Sequence, residues 1–136
     1  MISKKILICL FFLGSSFQQK ERPVSVTDFV KIKNNHRSEA VYYYENNWLV
    51  YREMAKKKNQ IRSYQIIQTS PDSNFNFDLI LTTVYRDSAQ FKAGESNFAA
   101  IIKETRPDGP KLLDSLKPGD FRQLVSTKVG EILISD

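Results

Sequence analysis

"VYYYENNWLVYREMAKKKN", residues 41–59, admits two structures, and the choice between them decides the fold. As a hairpin, Glu45-Asn46-Asn47 is the turn between two β-prone arms, "VYYY" and "WLVY". As a helix, Val41, Tyr44, Trp48, Tyr51 and Ala55 share one stripe at about 100° per residue, with Arg52 on its flank. Glu53 and Lys57 then form an i,i+4 pair in the favourable order. Lys56-Lys57-Lys58 falls where a helix C-terminus favours positive charge, and Asn59 is a stop signal. The balance predicts a helix whose aromatic stripe faces the core. Tyr42 and Tyr43 fall off the stripe, and the lysines face solvent.

On the N-terminal side, "VSVTDFVKIKN" (24–34) alternates β-branched and aromatic residues and predicts a strand. Asn34-Asn35 follows as a turn and a candidate helix cap. On the C-terminal side, "IRSYQIIQTS" (61–70) predicts a second strand, closed by the turn cluster Pro71-Asp72-Ser73-Asn74. "FNFDLILTTVY" (75–85) predicts a third strand, antiparallel to the second. Leu79, Leu81, Thr83 and Tyr85 point one way and Ile80, Thr82 and Val84 the other, so both faces call for cover.

Asp87 with Gln90 matches a capping box. Phe91, Phe98, Ile101 and Ile102 then mark a helical face to about residue 105, where "RPDGP" stops it. "KLLDSL" suits one helical turn and "KPGD" another turn. "FRQLVSTKVGEILISD" holds a last strand, over 121–127, 129–134 or both. The order strand, helix, strand, strand, helix, strand predicts an α+β, ferredoxin-like βαββαβ domain, an antiparallel sheet with both helices on one face. The uncovered face calls for a second copy of the chain.

The first residues read differently. In "MISKKILICLFFLGSSFQQK", Lys4 and Lys5 precede the apolar run 6–13 and the small-residue exit Gly14-Ser15-Ser16. The run is far short of the ~20 residues of a membrane span, so 1–18 is expected to be a secretory signal peptide, with 19–136 a single domain. Cys9, the only cysteine, lies inside that run and not behind small residues, which argues against lipidation. The mature protein is expected in the periplasm or secreted, folding without a disulfide and off the membrane. The formal charge of +5 includes Lys4 and Lys5, leaving +3 after cleavage. So mild a charge on an exported protein does not point to nucleic acid.

The stretch "NNWLVYREMAKKKNQIRSYQIIQT" followed by "FDLILTTVY" resembles the dimeric α+β barrel superfamily, which includes the antibiotic-biosynthesis-monooxygenase-like small proteins. The resemblance spans 24–136 and rests on element order. It implies two ferredoxin-like sheets paired face to face in a homodimer. Cofactor-independent oxygenases, haem enzymes, isomerases and members without known activity belong to that group. The insertion "RPDGPKLLDSLKPGD" departs from its minimal pattern.

The sequence excludes more chemistry than it offers. His36 is the only histidine, so the common zinc and haem ligand sets are missing, and "SPDSNFNFD" is no EF-hand; no metal and no cofactor is implied. There is no G-x-S-x-G elbow, and the five glycines make no phosphate loop. Trp48 on the helix and Arg62, Tyr64 and Tyr85 on the strands are the candidate ligand-binding residues, because a barrel cavity would receive side chains from one strand face. Arg62 and Tyr64 share a face, and a buried arginine there would call for an anionic ligand or a carboxylate. Three readings of function follow. One is a binding module for a small aromatic or apolar molecule in an inter-sheet cavity. The others are a cofactor-independent monooxygenase or isomerase, and an interaction domain with a filled core.

Overall fold

The structure, a computed structural model, describes residues 21–134. The expected signal peptide at 1–18 lies outside the described residues. The alternating segments form strands β1 (Val24–Ile32), β2 (Ser63–Gln68), β3 (Leu79–Tyr85) and β4 (Arg122–Glu131). They assemble in the order β2-β3-β1-β4, every neighbouring pair antiparallel. With the helices packed on one face, this is the ferredoxin-like arrangement that the element order predicts.

The aromatic stretch is helical. It runs as α1 (Arg37–Tyr43), a π-helical turn (Tyr44–Trp48) and α2 (Leu49–Lys57) without a break. Tyr44, Trp48, Tyr51 and Ala55 are buried, as the stripe requires, and Asn47 joins them at 1 % exposure. The π turn stretches the hydrogen-bond register, and the two asparagines compensate: Asn46 and Asn47 donate from Nδ2 to the carbonyls of Tyr42 and Tyr43, each at 2.9 Å. The pair that suits a hairpin turn thus serves a bulge inside a helix.

The helix begins one residue later than the asparagine pair would cap it. Asn34 and Asn35 take φ of 53° and 59° and form the turn, while His36 occupies the cap position, its ring bonded to the Glu39 carboxylate at 3.2 Å and not to the helix backbone. At the other end, Asn59 at φ 56° closes a Schellman motif, with Gln60 N–H donating to the Ala55 carbonyl (2.8 Å) and Asn59 N–H to that of Lys56 (3.0 Å). Glu53 and Lys57 make no ion pair among the described residues; Lys58 instead reaches Glu104 on the second helix at 2.8 Å.

That helix, α3 (Ser88–Thr105), starts where Asp87 accepts the Gln90 amide at 2.7 Å. Gln90 Oε1 in turn accepts from Arg86 N–H, one residue ahead of the expected box partner. Phe91, Phe98 and Ile101 face inward, but Ile102 is 41 % exposed, at the edge of the buried stripe. The expected helical turn at 111–116 is absent. The chain turns instead at α4 (Pro118–Phe121), which buries Phe121. The last strand is one continuous element that takes in the first candidate segment from residue 122 and the second only as far as 131. Opposite β1 its register slips between Phe29–Ser126 and Val30–Leu124, leaving Val125 as the extra residue of a bulge.

The inner face of β3 is closed, with Leu79, Leu81, Thr83 and Tyr85 each at 6 % exposure or less. Its core divides in two. Tyr51, Ala55, Ile61, Tyr85 and Ile101 pack around Val24, while Tyr44, Trp48, Leu79 and Leu81 pack around Val30. The outer face carries Phe29, Ile80, Val84 and Ile67 among Ser25, Thr27, Thr82 and Ser63, only half-buried at best. Phe77 lies against Phe29 at 4.9 Å, and Thr27 and Thr82 share a hydroxyl hydrogen bond.

Candidate functional site

The alternation of β1 places Val24, Val26, Asp28 and Val30 on the face toward the helices, since each pairs with an inward residue of β3. Asp28 is therefore a carboxylate at an apolar position. Above it, α2 carries Arg52 one turn beyond Trp48. The guanidinium lies 4.3 Å from the Trp48 ring and 4.1 Å from the Phe98 ring of α3, and its Nε donates to Thr83 Oγ1 at 3.2 Å. Aromatic faces thus stand where a counter-ion usually does. Burial lowers the Arg52 pKa to about 10, against the raising effect of Tyr85 and Asp28, so it remains a cation at neutral pH.

Arg122, the first residue of β4, enters from the other side. Its guanidinium sits 4.9 Å from the Tyr43 ring and 5.7 Å from the Tyr44 ring, with Nη2 donating to the Tyr43 hydroxyl at 3.4 Å. Burial pushes the Tyr44 phenol up to about 12, with the Arg122 charge opposing, so the hydroxyl keeps its proton. Asp28 Oδ1 accepts from Thr127 Oγ1 at 2.6 Å. Among the described residues neither Arg52 nor Arg122 pairs with a carboxylate within 4.0 Å.

These side chains line a crevice of about 240 Å³ between the helix layer and the sheet, with Ile102 and half-exposed Leu124 at its rim. It is open on the side of β4, where Leu124 and Val129 are exposed. Two residues of its wall, Trp48 and Arg122, carry donors, Nε1 and Nε, that are sealed from solvent and without a partner among the described residues. Such groups cost stability unless something accepts from them.

Of the residues that the sequence singles out, Trp48 lines this crevice. Tyr64 stands behind it, edge-on at 6.2 Å, and faces a separate groove of about 390 Å³ bounded by Val41, Leu49 and Ile66. Tyr85 is buried near the far end of the sheet, with its ring 5.5 Å from Phe91, and burial raises its phenol. Arg62 is exposed at the border of a surface groove with Arg22, Lys56 and Arg86. The sequence reading missed Asp28 and Arg122. Asp28 was detectable as the one charge at an inward position of β1. Arg52 was seen only as the flank of the stripe. Among the described residues no group of three or more His, Cys, Asp or Glu could hold a metal, and no helix is long and apolar enough to cross a membrane.

No protein-family model matches the chain, and no curated protein does. Solved structures do. A conserved protein of unknown function from Bacteroides thetaiotaomicron, a possible oxidoreductase, superposes with a TM-score of 0.51 at 10 % identity, over 82 % of this chain and 99 % of its own. An ethd-like protein from Ralstonia eutropha gives 0.50 at 11 % identity, over 85 % and 96 %. A dimeric ferredoxin-like protein from an uncultured marine organism gives 0.46 at 12 %, over 85 % and 100 %. Identities this low carry no activity across. What the chain shares with the first two is the fold: a ferredoxin-like α+β domain over nearly their whole length.

Proposed function

We propose that the protein is an exported homodimer that binds a small molecule in the crevice between its helices and its sheet. The observation that carries the reading is the pair of guanidinium groups, Arg52 and Arg122, set against aromatic rings in one crevice with no carboxylate partner among the described residues. The site lies within each subunit, not between paired sheets. Its volume of about 240 Å³ falls below the ~300–1,000 Å³ of drug-sized pockets and suits a molecule of about one ring.

Two further parts of the proposal rest on separate observations. Dimerisation is supported by the outer sheet face, where Phe29, Ile80 and Val84 have no helix over them among the described residues. Export is supported by the charged, apolar and small-residue succession of 1–18. Mass spectrometry of the protein from its host is expected to find a mature start near residues 17–20. An intact N-terminus in the membrane fraction would make the segment an anchor and overturn its cleavage.

Ligand binding is tested by screening single-ring fragments against the ¹⁵N-labelled protein. The indole resonance of Trp48, the chain's only tryptophan, is expected to move for the fragments that bind. A screen in which binders leave that resonance in place would put the site elsewhere.

A further inference from the structure

We propose that the crevice is an anion site whose ligand is a small planar monocarboxylate of about one aromatic ring. The inference rests on the ligand-binding reading above and adds the chemical class. Three observations converge on it.

The first is charge. Arg52 and Arg122 both line the crevice, with Asp28 as its one carboxylate, and neither arginine pairs with an acid among the described residues. Two cations against one anion leave a single positive charge in a half-enclosed, low-dielectric space. That balance calls for a monoanion and disfavours a dianion such as a phosphate monoester.

The second is hydrogen-bond polarity. The guanidinium groups of Arg52 and Arg122, which line the crevice, can only donate. The Tyr44 hydroxyl, protonated up to about pH 12, is a donor as well. One oxygen of Asp28, the crevice's acceptor, is already taken by Thr127. The complement of such a lining is a group rich in acceptors, and the planar guanidinium fork of Arg122 fits a carboxylate.

The third is shape. The rings of Tyr43, Tyr44 and Trp48 wall the space, so the body attached to the carboxylate is expected to be flat and apolar.

The test uses the full mature protein and matched probes: benzoate, its neutral isostere benzamide, and phenyl phosphate. Benzoate is expected to move the Trp48 indole resonance saturably, with benzamide weaker by about tenfold or more, the loss expected when charge-assisted hydrogen bonds disappear. Arg52→Gln and Arg122→Gln should each weaken benzoate by a similar factor. Arg62→Gln, an exposed arginine outside the crevice, should leave it unchanged. The comparison of benzoate with benzamide needs no variant, so it stands even if an arginine substitution unfolds the protein. Equal binding of benzamide overturns the anion class while leaving the site in place. Tighter binding of phenyl phosphate overturns the monoanion. No movement with any of the three probes overturns the anion site, while the crevice as a ligand site stands or falls with the fragment screen.

Discussion

A Cβ built at Gly94 of α3 would lie 2.7 Å from the Tyr85 hydroxyl and 2.9 Å from Cε1 of that ring, which fixes the residue at that position. Gly94→Ala gains roughly 1 kcal/mol of helix propensity, yet overpacking is expected to leave it about 1–3 kcal/mol less stable by urea denaturation. Adding Tyr85→Phe should restore part of the loss, because the closest atom is gone. A stabilised Gly94→Ala would mean that the ring moves aside freely. Tyr44 makes a second prediction. Unfolded, its phenol titrates near 10, whereas burial holds it at about 12 in the fold. Below pH 10 both states carry the proton and stability is unaffected. As pH rises from 10 to 12 the unfolded chain loses its proton first, so stability falls, by up to about 3 kcal/mol from this group. Arg52 acts oppositely over that window, since burial lowers its pKa to about 10 and its charge becomes easier to shed in the fold. Tyr44→Phe should therefore flatten the alkaline decline of stability, or reverse it; an unchanged slope between pH 9 and 11.5 would contradict the assignment. At this scale the sequence was only partly legible. Trp48 announced itself as the tryptophan of an aromatic stripe. Arginine usually sits at the surface, so nothing local marked Arg122, which reaches Tyr43 from 79 residues away.

The first helix shows how an element can be predicted while its key irregularity is not. Spacings of four, three and four along Tyr44, Trp48, Tyr51 and Ala55 fit an ordinary α-helix, so periodicity gave no hint of a π turn. The signal lay in the side chains of Asn46 and Asn47, which favour turns in isolation. Asn47 does more than bridge the register. Its Oδ1 accepts Lys111 N–H at 2.8 Å and Arg106 Nε at 3.3 Å, while Nδ2 donates to the Lys111 carbonyl at 2.8 Å. The inserted segment after α3 is thereby tied to the bulge. Asn47→Ala is expected to cost about 2–4 kcal/mol, several buried hydrogen bonds being lost together. It should also speed hydrogen exchange at the Lys111 amide more than at the β1–β3 ladder. Uniform exchange across the molecule would show that the bulge and the insertion are not coupled. The single strand β4 was also beyond local reading. Both of its halves are β-prone, and only pairing with all of β1 shows that a bulge at Val125 carries the strand through.

For the molecule as a whole, the alternation within β3 announced two faces needing cover, and the helices supply one. Arg52, Trp48 and the core lie beneath the helices, and Phe29, Phe77 and Ile80 lie on the outer face. Proposed pairing through that outer face leaves the crevices clear, on the far sides of the dimer. Light scattering of the mature protein should give twice the chain mass at micromolar concentration. Phe29→Glu, placing a charge at the centre of the outer face, should give a folded monomer that still binds benzoate. A wild-type monomer would remove the paired-sheet assembly and leave the ligand site untouched.

Arg52, held between two rings and not by an acid, has a consequence in denaturant. Its head group is chemically the guanidinium ion on a tether. Arg52→Ala would leave a ring-walled slot shaped for the free ion, so guanidinium chloride at low concentration is expected to raise the melting temperature of that variant before unfolding it. Urea, of like shape but uncharged, should only lower it, and the wild type, its slot already filled from within, should decline in both.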